Sequence, residues 1–129
     1  MNRAKLLRRV AVAVLAILCA WTFYPPSVQA ETETWKIQST YPYTIQIEFY
    51  SKDRNAAWPG GGRAYLVDDS RMHSFSLNCR PGERICYGAW DNGTGKPTWG
   101  VGKNESNSCT RCCWTCGRKG DPRAINLTP

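Results

Sequence analysis

The stretch Tyr43–Phe49, YTIQIEF, alternates between apolar residues at odd-numbered positions and polar residues at even-numbered ones. A period of two is typical of a β-strand that has one buried face and one face in water. The stretch therefore predicts a strand that begins at Tyr43 and places its odd-numbered side chains in a core.

Other short apolar or alternating runs flank this stretch. We expect strands around Trp35 and Ile37, and at Ala64–Val67, Phe75–Cys79, Arg84–Trp90 and Trp99–Val101. Turn-forming residues separate these runs, and Pro81-Gly82 predicts a hairpin between Phe75–Cys79 and Arg84–Trp90. Short strands at a spacing of about ten residues predict an all-β fold, either a small antiparallel β-sandwich or an open barrel.

Four cysteines lie close together in the stretch Cys109–Cys116, CTRCCWTC. Their offsets of 0, 3, 4 and 7 align side chains on one face of a helix. Gly117 stands where the left-handed residue after a helix belongs, and residues 106–108 offer candidate N-caps. The stretch predicts a short C-terminal helix or loop that is pinned by disulfides.

Residues 1–30 are predicted to be a signal peptide. A basic start is followed by an apolar run of fourteen residues and by small residues before a cleavage point after Ala30. A spanning helix needs roughly 20 apolar residues, so no permanent membrane anchor is expected after cleavage. Residues 31–129 then form a single cysteine-rich β domain in the periplasm or the extracellular space.

The mature chain contains six cysteines, an even number: Cys79, Cys86, Cys109, Cys112, Cys113 and Cys116. In an oxidising compartment they are expected to form three disulfides. One arrangement joins the predicted hairpin to the cluster, and we favour it because it holds the C-terminal segment to the fold. The other pairs Cys79 with Cys86 and closes two rings inside the cluster. A thiolate metal site is less favoured, because the two Cys-x-x-Cys pairs abut at Cys112-Cys113.

The net charge bears on the choice of partner. The full chain has 17 basic and 10 acidic residues, and four of the basic ones lie in residues 1–30, so the mature charge falls from +7 to +3. A charge this small, spread along the chain, does not predict a nucleic-acid partner. An envelope protein or a glycan is expected instead.

Catalytic and cofactor motifs are weak. His73 is the single histidine, so a hydrolase that uses it with nearby serine and aspartate residues is the alternative function. Asp68-Asp69 lacks the further oxygen ligands of a calcium loop. Gly93–Lys96 resembles a phosphate-binding loop, but Pro97 replaces the required hydroxyl residue, so the segment predicts a hairpin turn. We therefore expect no metal and no cofactor, and we favour binding over catalysis.

Two tryptophans are candidate binding residues. Trp58 stands in a glycine-rich loop beside Pro59, and Trp114 points away from the cysteine face of the predicted helix. An exposed tryptophan on an exported β domain can stack on a sugar ring or anchor a protein partner. The other aromatic side chains are expected to lie mostly in the core.

Three motifs together give a family resemblance: Ile85–Trp90, ICYGAW; Trp99–Gly102, WGVG; and the CxxCCxxC cluster. With them the chain resembles a group of small, exported, cysteine-rich bacterial proteins that are uncharacterised. The resemblance spans about Phe49 to Gly117. It implies export and a shared scaffold, and it implies neither an activity nor a functional residue.

The first testable prediction concerns processing. The exported protein should begin at Glu31 and contain no free thiol, because all six cysteines meet an oxidising compartment. Its intact mass should lie six hydrogens below that of the reduced form. Free thiols in protein purified after export, or stoichiometric zinc that a chelator removes, would contradict this.

Overall fold

The computed structural model describes residues 25–27, 29–118 and 124–129. The predicted signal peptide lies largely outside these described residues. Nine strands are present in the described part: β1 Glu31–Ser39, β2 Ile45–Ser51, β3 Ala57–Trp58, β4 Tyr65–Val67, β5 His73–Cys79, β6 Arg84–Asp91, β7 Thr98–Gly100, β8 Cys113–Thr115 and β9 Ile125–Leu127. No helix of the described residues is long and apolar enough to cross a membrane.

The strands form two sheets, which confirms the all-β prediction. The first sheet has the order β5-β1-β9, and the second has the order β3-β2-β6-β7, with β4 also beside β2 and β8 also beside β6. The pairings are antiparallel apart from that of β1 with β9, which is parallel. The two sheets do not close into a barrel, so of the two predicted architectures the sandwich describes the fold.

The core lies between the sheets and is built by the alternation of β1, β2 and β6. Its fully buried large side chains come from both sheets: Trp35, Ile37, Leu77 and Leu127 from the first, and Ile45, Ile47, Phe49, Val67 and Ile85 from the second. Burial of one such side chain is worth about 1.5–3 kcal/mol. The alternating pattern thus supplies most of the apolar contact between the sheets.

Trp35 occupies the centre of the core and has no exposed surface. Its ring lies 5.1 Å from that of Phe49, and it meets the Trp114 ring edge-on at 4.8 Å. Tilted and edge-on pairs of this kind stabilise a core beyond the area that they bury. Trp35 therefore joins β1 of the first sheet to β2 and β8 of the second.

The predicted hairpin between Phe75–Cys79 and Arg84–Trp90 is wrong. β5 pairs with β1 in one sheet, whereas β6 pairs with β2 in the other. Residues 80–83 therefore cross between the sheets instead of reversing the chain within one. A Pro-Gly connection suits either path, and here β5 finds an apolar partner in β1, with Phe75 opposite Trp35.

A buried ion pair fixes this crossing. Glu83 is 4% exposed, accepts a hydrogen bond from the Arg80 N–H at 2.8 Å and pairs with Arg54 Nε at 2.5 Å. Burial favours a higher pKa for the Glu83 carboxyl, but hydrogen bonds from Arg54, Ser51 and the Arg80 backbone outweigh it and lower that pKa. The carboxylate therefore stays charged and holds residues 51–54 against residues 80–83.

The cysteine cluster forms no helix. Residues 109–112 are an irregular loop, and Cys113–Thr115 is strand β8, paired with the start of β6. An eight-residue helix is marginal on its own, whereas β8 gains ladder hydrogen bonds and alternates Cys113 outward with Trp114 inward. Gly117 does have a left-handed φ of 76°, but it follows a strand, and a Cβ at this position would displace the Glu31 carboxylate.

All six cysteines of the described residues are in disulfides, and two of the three bonds join residues near the β5–β6 crossing to the cluster, as favoured. Cys79–Cys116 links β5 of the first sheet to the segment after β8 of the second. Cys86–Cys113 links directly opposed residues of β6 and β8. Cys109–Cys112 closes a ring over a sequence separation of only 3.

The segment from Val101 to Cys112 covers the outer face of the second sheet. Val101 and Cys112 pack with Tyr50 and Cys86 in a second buried cluster. Gly88 allows the close approach, because a Cβ at that position would lie 2.1 Å from the Gly102 carbonyl oxygen. The second sheet is therefore covered on both faces, while the first has a polar outer face.

The second prediction ranks the disulfides. By the chain-entropy estimate the Cys79–Cys116 loop is worth about 4 kcal/mol, and the Cys109–Cys112 ring less than about 2 kcal/mol. The double variant Cys79→Ala/Cys116→Ala should therefore lose more free energy of unfolding than Cys109→Ala/Cys112→Ala. Urea titrations under non-reducing conditions measure both, and the reverse order would contradict this account.

Candidate functional site

An open cleft of about 520 Å³ lies at one end of the sandwich, beside the end of β1 and the start of β2. We call it the aromatic cleft. Its lining residues come from the loop after β1 and the turn after β6: Tyr41, Tyr43, Thr44, Asp91, Asn92, Gly93 and Thr94. It is larger than two other clefts among the described residues, which have volumes of about 280 and 330 Å³.

The loop 40–44 crosses from the first sheet to the second and is fixed at both ends. The Thr40 N–H donates to the Leu127 carbonyl at 2.9 Å, and the Tyr41 N–H donates to the Ser39 hydroxyl at 3.1 Å. At the far end the Asn92 N–H donates to the Thr44 carbonyl at 2.9 Å. Both walls of the cleft are therefore bonded to the sheets and to each other.

Three aromatic rings form a ladder that ends in solvent. Tyr43 is 67% exposed, and its ring meets that of Tyr41 edge-on at 5.5 Å. Tyr41 in turn meets Trp99 edge-on at 5.3 Å, and the Trp99 indole N–H donates to the Thr128 carbonyl at 2.7 Å. The exposed Tyr43 ring is thus supported by two further rings and a backbone hydrogen bond.

Asp91 shapes the turn that forms the other wall. Its buried carboxylate accepts hydrogen bonds from the Gly93 N–H at 2.9 Å, the Thr94 N–H at 2.5 Å and the Thr94 hydroxyl at 3.0 Å. The bond from the Thr94 backbone is the largest cause that lowers the pKa of the Asp91 carboxyl. The segment 93–96 is therefore the predicted hairpin turn, between β6 and β7.

The polar groups of the cleft are hydroxyls, an amide and one carboxylate, that of Asp91, which is already hydrogen-bonded within its turn. Burial and the neighbouring charge of Asp91 raise the pKa of Tyr41, so its hydroxyl keeps its proton at neutral pH. The Asn92 side-chain oxygen accepts a hydrogen bond from Gln46. This bond orients the amide of Asn92 and leaves its NH₂ group as a donor at the cleft.

A second, smaller cleft of about 280 Å³ lies at the opposite end of the sandwich, where β5 ends and β6 begins. It is lined by Asp53, Arg54, Arg80, Pro81, Gly82 and Glu83. Its arginine Arg54 is bonded to Glu83 by two nitrogens. The charges of Arg54 and Glu83 therefore stabilise the crossing at residues 80–83.

The structure places Trp58 in β3, opposite Phe49, with its ring partly buried against the core. The Arg54 guanidinium lies over this ring, 5.5 Å from its centre, a cation–π contact. The glycines that follow Pro59 turn the chain back toward Arg63. That Trp58 binds a ligand stays a prediction.

Trp114 lies in β8 rather than on a helix, so it does not project to solvent in the way the helical prediction required. It is partly buried and packs edge-on against Trp35. Its role in binding also stays a prediction. Trp114 is far from the aromatic cleft, because β8 pairs with the start of β6 whereas the cleft lies at the end of β6.

His73 begins β5 and pairs with Asp69, its Nε2 lying 2.8 Å from Asp69 Oδ1. The Arg71 N–H also donates to this carboxylate at 2.9 Å, and the two bonds, with that from the backbone the larger, lower the pKa of Asp69. In the described part of the chain no serine hydroxyl is hydrogen-bonded to the imidazole. Of the serine, histidine and aspartate groups predicted for the hydrolase, the structure brings together only the His73–Asp69 pair.

Sequence reasoning missed the exposure of Tyr43, which was predicted to face the core as the first residue of a strand. The strand β2 begins at Ile45, two residues later. Pro42 could have predicted this later start of the strand, because proline cannot donate a hydrogen bond to a neighbouring strand and commonly stands in a turn. An aromatic residue just after such a proline lies on the loop, where solvent reaches it.

Metal binding needs several His, Cys, Asp or Glu side chains within reach of one ion. Within the described ranges no three His, Cys, Asp or Glu side chains are grouped to hold a metal ion. Comparison of the chain with protein-family models, with curated proteins and with solved structures finds no match. The site must therefore be interpreted from its own chemistry.

The third prediction separates the exposed ring of Tyr43 from a ring that packs in the core. Tyr43→Ala should change the free energy of unfolding by about 0.5 kcal/mol or less, as exposed substitutions usually do. Trp114→Ala removes a ring from the core and should cost about 3 kcal/mol or more. Thermal and urea melts check both, and a strongly destabilised Tyr43→Ala variant would show that Tyr43 is structural.

Proposed function

We propose that this chain is an exported, disulfide-stabilised binding module of the cell envelope or the extracellular space. The basic and apolar start of the chain supports export, and three disulfides suit an oxidising compartment. The resemblance to small exported cysteine-rich bacterial proteins agrees with this location. The described β domain then acts outside the cytoplasm as a scaffold that presents a binding surface.

The observation that supports binding most is the exposed Tyr43 ring above the aromatic cleft. Tyrosine offers a large, stiff surface with an apolar face and a polar end, so it binds at a low cost in conformational entropy. The ring is supported by Tyr41 and Trp99, and the cleft walls are bonded to each other. A surface that is ordered before binding loses less entropy when a ligand arrives.

Hydrolysis by His73 is the alternative, and the His73–Asp69 pair is the single observation in its favour. An aspartate that orients a histidine is part of a catalytic triad, but a triad also needs a nucleophile in contact with the imidazole. The described residues provide none, and the aromatic cleft does not include His73. Binding through the cleft is therefore the better-supported function.

The fourth prediction tests this proposal by capture. Immobilised mature protein should retain a component of envelope or cell-wall fractions, and Tyr43→Ala should lose at least tenfold of that capture, because Tyr43 supplies the exposed contact surface. Arg80→Ala, in the cleft at the opposite end, is the matched control and should retain it.

His73→Ala serves as a second control in the same assay. Capture by this variant should equal that of the wild type. A folded His73→Ala variant that loses capture or a measurable activity, or an undiminished Tyr43→Ala variant, would contradict binding at the aromatic cleft.

A further inference from the structure

We propose that the aromatic cleft binds a neutral glycan, with a sugar ring stacked on Tyr43. This inference rests on the proposed function as a binding module and adds the chemical class of its ligand. It follows from the combination of an exposed flat ring with hydroxyl and amide groups at its edge.

A pyranose ring has two kinds of surface, and the cleft offers a partner for each. The faces of the sugar carry C–H groups, which pack on an aromatic ring, while its edge carries hydroxyls that both donate and accept hydrogen bonds. Tyr43 provides a ring that is 67% exposed. Thr44 and Asn92 lie along the same cleft and carry a hydroxyl and an amide, which donate and accept hydrogen bonds.

The charge of the cleft disfavours anionic sugars. No lysine or arginine is among the seven lining residues, and the one charged group is the Asp91 carboxylate. Three hydrogen-bond donors of the chain face that carboxylate, from Gly93 and Thr94. It therefore holds the turn together, and its negative charge disfavours uronic acids, sulfated sugars and phosphates at the same cleft.

The scale of the exposed surface favours a small ligand over a protein. A specific protein interface covers about 800 Å² on each partner and has several apolar anchors. In the part of the chain that the structure describes, the exposed large apolar side chains are Tyr43, Leu66 and Met72, and only Tyr43 lines the cleft. A single exposed ring at a cleft of about 520 Å³ matches one or two sugar units.

The rigid support of Tyr43 also suits a glycan, which forms few strong contacts with each sugar unit. Tyr41 fixes one side of the ring, and the bond between Trp99 and Thr128 fixes the far end of the ladder. Gln46 holds the Asn92 amide in one orientation. The cleft thus presents the ring and the polar edge together before the ligand binds.

Calorimetric titration of the mature protein with soluble neutral oligosaccharides tests the inference. The probes are hexasaccharides of β-1,4-glucose, of β-1,4-mannose and of β-1,4-N-acetylglucosamine, with polygalacturonate and heparin as charged comparisons. At least one neutral probe should bind the wild type, and the charged probes should bind more weakly.

The variants place that binding on the cleft. Tyr43→Ala should weaken the affinity at least tenfold, Tyr43→Trp should keep it because the stacking face remains, and Asn92→Ala should weaken it several-fold. Arg80→Ala should leave the affinity unchanged. Circular dichroism spectra confirm that each variant is folded.

The outcomes separate this inference from the proposed function. If no neutral probe binds while envelope capture still depends on Tyr43, the glycan inference is wrong and the binding module stands. If the charged probes bind more tightly, or Tyr43→Ala binds neutral glycan as well as the wild type, the glycan inference is also wrong. If neither glycan nor envelope material binds, the proposed function fails with it.

Discussion

The bond between Cys79 and Cys116 is the constraint on which the rest of the structure depends. It joins the end of β5 in the first sheet to the residue that follows β8 in the second. The backbone of Cys116 adds a second link to the crossing, since its N–H donates to the Glu83 carbonyl at 2.8 Å and its carbonyl accepts from the Gly82 N–H at 3.0 Å. A core of about a dozen buried side chains gains much from such a link, because a domain of this size is only marginally stable.

The candidate site depends on the same sandwich from its other end. The chain leaves β1, crosses as the loop 40–44 and enters β2, so Tyr41 and Tyr43 lie on a connection rather than in a sheet. Asp91 ends β6 beside the start of β2, and its carboxylate folds the following turn back toward that loop. The disulfides hold one end of the sandwich closed and leave the opposite end to carry the exposed aromatic ring.

The sequence was sufficient for the local structure of the longest strands and insufficient for their partners. The alternation in β1, β2 and β5 follows from one buried and one wet face, so Trp35, Ile47 and Leu77 were predictable as inward residues. The pairing of β5 with β1 was not, because a Pro-Gly connection permits either a hairpin or a crossing. The offsets of the cysteines fitted a helix, yet β8 forms because β6 offers it a ladder and a bonded partner at Cys86. Tyr43 was misplaced for a similar reason, since periodicity alone does not show where a strand ends.

The most direct test of the account is a map of backbone amide chemical shifts, recorded by NMR while a neutral oligosaccharide or captured envelope fraction is added to the mature protein. The shifted amides should cluster at residues 41–46 and 91–96, on the two walls of the aromatic cleft. Shifts centred on residues 56–63 around Trp58, or on β8 around Trp114, would contradict binding at the aromatic cleft and would indicate that a tryptophan forms the binding site.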